Sequence, residues 1–144
     1  MPIDRDTLLQ SELDQRHQYA RHAYDRFIQY AVLLCTLNGI AAGWLTERIE
    51  FQLDLFADIV FILVNSNAVY VSSMMLKQIR ETGVRINEIL KLLQLTSSEK
   101  DIPVQSAFNE QWQLFTVKQF RIAFCVLVIC WILSIFEAFC FAEG

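Results

Sequence analysis

Three long apolar stretches alternate with polar segments along this chain: Phe27 to Leu45, Ile59 to Leu76 and Ile122 to Ala142. Each holds about 20 residues, the number a helix rising ~1.5 Å per residue needs to cross a ~30 Å hydrocarbon core. The third runs from Ile122 to Phe136 without a charge. Such a helix, apolar all round, has no solvated face to offer in a water-soluble bundle. The pattern predicts an all-α integral membrane protein with three transmembrane helices, over residues 27–45, 59–76 and 122–142.

The helices are expected to outrun the membrane. No Pro or Gly stands between Pro2 and Gly39, so helix 1 can run unbroken from about Asp6. Past Leu76 the apolar residues narrow to a stripe, Leu76, Ile79, Gly83, Ile86, Leu90 and Leu93, with the three–four spacing of helix-on-helix packing. Glu81, Arg85, Glu88 and Lys91 lie off that stripe. Thr96 to Pro103 reads as a turn, after which helix 3 restarts near Val104 with Phe108, Trp112 and Phe115 on an apolar edge. The predicted organisation is one domain: a cytoplasmic helix over 1–26, an outer loop over 46–58, and a cytoplasmic segment over 77–121. Together the inner portions form a helical stalk, with Trp44 and Trp112 suited to the membrane interfaces.

Charge orients the spans. Arg5, Arg16, Arg21 and Arg26 precede the first, and Lys77, Arg80, Arg85, Lys91, Lys100, Lys118 and Arg121 lie between the second and third. Only Arg48 falls on the other side. The positive-inside rule then puts the N-terminus in the cytoplasm and the C-terminus outside. Glu47, Glu50, Asp54, Asp58, Glu137 and Glu143 fall on the outer side, which makes the net charge of −4 an outer-face property. A negative mouth concentrates cations, although acids are also simply tolerated outside where bases are not.

Composition agrees with lipid as solvent: 54% of the 144 residues are hydrophobic and mean hydropathy is +0.32. Asp4, Asp6, Glu12, Asp14 and Asp25 make the N-terminus unlike a signal peptide. Cys35, Cys125, Cys130 and Cys140 all fall within the apolar spans with no C-x-x-C among them, so they read as small apolar packing residues.

Polar side chains inside the spans carry the most information, because lipid leaves them only protein partners. Asp58, Asn65 and Ser72 are seven apart and share one face of helix 2, which Ala68 and Ile79 continue. Asn38 lies eleven residues from Phe27, and Asn65 lies eleven from Leu76. In antiparallel spans the two amides therefore sit at similar depth. Two readings stay open: an Asn38–Asn65 hydrogen bond joining helices, or a water path lined by Asp58, Asn65 and Ser72 between subunits, with Glu137 near its mouth. Gly39 and Gly43 form a G-x-x-x-G that favours self-association, and Ile79, Ile86 and Leu90 are candidate packing positions for further copies or a cytoplasmic partner.

Arg16 and His22 match the R-x5-H spacing of HEPN ribonucleases, a short pattern easily reached by chance in a basic segment. Arg21 and His22 read instead as a solvated, headgroup-facing surface. No Gly-rich phosphate loop, metal-ligand cluster or activated nucleophile is evident, so no enzyme activity, cofactor, metal or nucleic-acid partner is expected.

The segment Arg21-His-Ala-Tyr-Asp-Arg26 runs into two close spans joined by a short acidic loop, and the amphipathic stretch Lys77 to Leu95 follows. That layout, over residues 5–95, resembles the SLATT group of small bacterial membrane proteins. The resemblance implies a pore-forming effector of a bacterial defence or stress system, responding to a signalling ligand. The expected function is a homo-oligomeric membrane channel or pore, with a non-conducting scaffold or accessory subunit as the alternative.

Overall fold

A computed structural model describes residues 5–45, 51–96 and 110–142. All of them are helical: α1 (Arg5–Leu45), α2 (Phe51–Thr96) and α3 (Glu110–Ala142). At 41, 46 and 33 residues, they extend roughly 62, 69 and 50 Å at ~1.5 Å per residue. Each is long and apolar enough to cross a membrane, with length to spare. α2 starts at Phe51, inside the loop expected over 46–58, because nothing from Phe51 to Asp58 breaks a helix. The predicted turn at Thr96–Pro103 and the expected restart at Val104 fall largely or wholly outside the described residues, as do Glu47, Arg48, Glu50, Phe108 and Glu143.

α2 is the central helix. It packs closely on α3 and on α1, whereas α1 and α3 have few close backbone approaches to one another. The buried positions follow heptad spacing: Ala20, Phe27, Ala31, Leu34 and Asn38 on α1, Asn65, Ala68, Ser72, Met75, Ile79 and Ile86 on α2, and Val117, Phe124 and Trp131 on α3. Ile79 and Ile86 are only 3% and 4% exposed. The stripe expected to dock further copies is therefore used within the chain, with Leu90 half-buried beside it. A periodic stripe specifies a helical neighbour without specifying whose helix it is.

Long side chains span the distance between α1 and α3. Phe27 meets Phe120 edge-on, centroids 6.0 Å apart, and Trp131 reaches Asn38 with a 2.8 Å hydrogen bond. Both pairs are 93 residues apart, so the two helices run parallel in one register over three turns. Away from the most apolar region, Arg85 Nε lies 3.4 Å from Glu12 Oε1, tying α2 to α1, and Glu12 also accepts a 3.0 Å hydrogen bond from Arg16 Nε. The Arg16 hydrogen bond, assisted by the nearby Arg85 charge, holds the Glu12 carboxyl below its ordinary range.

Burial differs from that of a water-soluble protein. Only 11% of the most apolar stretch of α3 is buried, against 22% for α1 and 28% for α2. Val32, Leu33, Leu63, Ile129, Leu133 and Phe136 all face outward, while the polar Asn38, Asp58, Asn65 and Ser72 are buried. A surface of this kind is stable against hydrocarbon and would associate in water. The four cysteines, expected as small apolar packing residues, are free thiols exposed on that apolar surface. The core positions of the bundle belong to residues such as Ala31, Leu34, Val117, Phe124 and Trp131.

Candidate functional site: a buried amide–indole lock

The site is assembled from one side chain of each helix. Asn38 of α1 and Asn65 of α2 form a reciprocal pair: Asn65 Nδ2 donates to Asn38 Oδ1 at 2.8 Å, and Asn38 Nδ2 donates to Asn65 Oδ1 at 3.1 Å. Each amide nitrogen uses its second N–H on its own helix, Asn38 to the Leu34 carbonyl and Asn65 to the Phe61 carbonyl, both at 2.8 Å. Trp131 of α3 then donates its indole N–H to Asn38 Oδ1 at 2.8 Å. All four amide N–H groups and the indole N–H are thus satisfied inside the bundle, as a low-dielectric interior demands.

Stacking fixes the indole. The Trp131 ring lies on Phe61, centroids 4.8 Å apart and planes 17° from parallel. Phe61 therefore serves the site twice, its ring holding Trp131 and its carbonyl holding Asn65. The network spans all three helices at one level, and Asn38 Oδ1 is the acceptor on which α2 and α3 converge.

On either side of the lock the polar line of α2 continues. Asp58, 1% exposed, lies seven residues toward the start of α2, and Ser72, fully buried, lies seven toward its end. The line covers about 21 Å at ~1.5 Å per residue. Ser72 Oγ donates to the Ala68 carbonyl one turn back, at 2.7 Å, so its hydroxyl is satisfied by its own helix. One of the two readings open from the sequence has this face line a water path between subunits. In the structure it points into the chain's own core, because α1 and α3 both pack against it. A buried carboxylate in a bilayer-length helix is costly, and such residues mark functional sites.

The remaining candidates stand elsewhere. Glu137 is exposed near the end of α3. Gly39 and Gly43 lie on the outward side of α1, where an added Cβ would meet nothing within 4 Å. Trp44 and Trp112 are 79% and 66% exposed. Trp131 was not singled out in the sequence, although an indole in mid-span must find an acceptor, and that requirement would have flagged it. Among the described residues no group of three His, Cys, Asp or Glu side chains is arranged to hold a metal ion. Comparison with family models, curated proteins and solved structures finds no match for this chain.

Proposed function

We propose that this chain is the subunit of a homo-oligomeric membrane channel or pore-forming effector, described here in a closed arrangement. The observation that carries the reading is the polar line Asp58–Asn65–Ser72, buried within helices long and apolar enough to span a bilayer. Stability alone is served as well by apolar residues at such positions. Opening would break the Asn38–Asn65 pair, release Trp131 and turn the α2 face toward water shared with neighbouring copies. The open notches at Gly39 and Gly43 suit close approach of a second α1. The Lys and Arg distribution supports a cytoplasmic N-terminus, and the SLATT likeness a bacterial inner membrane. The likeness to SLATT proteins supports a role in defence or stress.

The test is ion flux from liposomes reconstituted with pure protein. Asn38→Leu removes the lock and keeps the α2 polar face, so flux rises. Asn65→Leu removes the lining, so flux falls below that of Asn38→Leu. Equal flux in both variants, or none in any, overturns the reading.

A second reading is favoured by the full hydrogen bonding of both amides: the lock is structural, and the chain is a non-conducting scaffold. Its partner would dock on exposed apolar residues of the polar end, such as Leu8 and Val84, rather than on the buried Ile79 and Ile86. Recovery of a second protein with the purified chain, and no flux, favours it.

A further inference from the structure

Between α1 and α2, beside the start of the first apolar stretch, lies an open groove of about 530 Å³. That volume falls within the ~300–1,000 Å³ typical of small-molecule sites. Its two ends differ in chemistry. One end carries Tyr19, His22 and Arg26, on the turns of α1 just before Phe27. The other carries Tyr30, four residues past Arg26 on α1, and Tyr70 and Met74, six and two residues inside Leu76 on α2. No Asp or Glu lines it. Arg26 makes no ion pair among the described residues, unlike Arg16, Lys77 and Arg85, each of which has an acid within 4 Å.

A cation at the water boundary, aromatic rings at the headgroup level and an apolar floor running deeper match the polarity gradient of one lipid molecule. We propose that this groove holds an anionic phospholipid of the adjoining leaflet. The phosphate sits against Arg26 and His22, and one acyl chain lies along Tyr30, Tyr70 and Met74. Charge complementarity selects the anionic headgroup. The apolar floor selects a lipid over a soluble phosphate, which would leave Tyr70 and Met74 uncovered. The assignment rests on bilayer placement and is independent of conduction.

The experiment is native mass spectrometry of the full chain in a neutral detergent, titrated with phosphatidylglycerol, phosphatidylcholine or inorganic phosphate. Phosphatidylglycerol is expected to be retained at least about fivefold better than phosphatidylcholine, the ratio corresponding to ~1 kcal/mol for one interfacial basic residue. Arg26→Gln removes the preference, Arg26→Lys restores most of it, and Arg21→Gln, a neighbouring exposed charge outside the groove, leaves it intact. Unaltered helical circular dichroism in each variant separates lost binding from lost fold. Equal retention of both lipids, displacement by inorganic phosphate, or equal losses in the Arg21 and Arg26 variants overturns the assignment. A chain that stays monodisperse without detergent overturns the bilayer placement itself, a separate and earlier failure.

Discussion

Removing Asn38 leaves more groups stranded than removing Asn65, and the difference can be worked out atom by atom. Asn65→Ala strands one donor, the Asn38 N–H that pointed at Asn65 Oδ1, because Asn38 Oδ1 still accepts from Trp131. Asn38→Ala strands three groups, the Asn65 N–H, the Asn65 Oδ1 that accepted from Asn38, and the Trp131 indole N–H. Each buried orphan costs about 2 kcal/mol, within a range of ~1–3. The expected losses are therefore about 2 kcal/mol for Asn65→Ala and about 6 kcal/mol for Asn38→Ala. The double variant strands only the indole, so it loses about 2 kcal/mol rather than the ~8 of simple addition. Asn65→Ala is thus destabilising alone and stabilising once Asn38 is gone. Adding Trp131→Phe removes the last orphan and brings stability closer to that of the parent. The measurement is reversible unfolding in mixed micelles with sodium dodecyl sulfate, followed by far-ultraviolet circular dichroism. A double variant as unstable as the sum of the singles refutes the network as drawn. So does a larger loss for Asn65→Ala than for Asn38→Ala.

Two further outcomes follow from the surfaces. An added Cβ at Gly39 or Gly43 meets nothing in the chain, so replacing both by Leu is expected to leave the fold intact while mass in detergent shifts from oligomer to monomer; an unchanged mass in a folded variant removes these glycines from any interface. At the polar end, the lowered Glu12 pKa means its pairing stabilises the fold above the ordinary carboxylate value near 4.5 and is lost as pH falls through the lowered one. Hydrogen-exchange protection of residues 9–16 should drop across that acidic range, and Arg85→Gln should reduce the drop; a drop of the same size in the variant dissociates it from Arg85.

Much of this arrangement is legible in the residue order. Counting eleven residues inward from Phe27 and from Leu76 matches Asn38 with Asn65, and the structure hydrogen-bonds them. The match works because antiparallel helices of equal rise keep one register along their length. Heptad spacing from Leu76 to Leu90 marks an inward face for the same reason. Three things resisted. Trp131 is an apolar residue by composition, and only its N–H makes it part of a polar site. Ile79 and Ile86 needed a neighbour, and no spacing rule distinguishes a neighbour in the same chain from one in another copy. The groove at Arg26 depends on where α1 and α2 diverge, which is a property of two surfaces rather than of either pattern.

The central position of α2 has a consequence for how the protein reaches its membrane. Alone in lipid, this helix would expose Asp58, Asn65 and Ser72, at a cost of several kcal/mol. α3, charge-free from Ile122 to Phe136, carries no such burden and can partition by itself. If the chain inserts into a bilayer, entry of the second segment already paired with the first, as a hairpin whose amides have met, removes that cost. The third helix would then close over a partnership formed before it arrives.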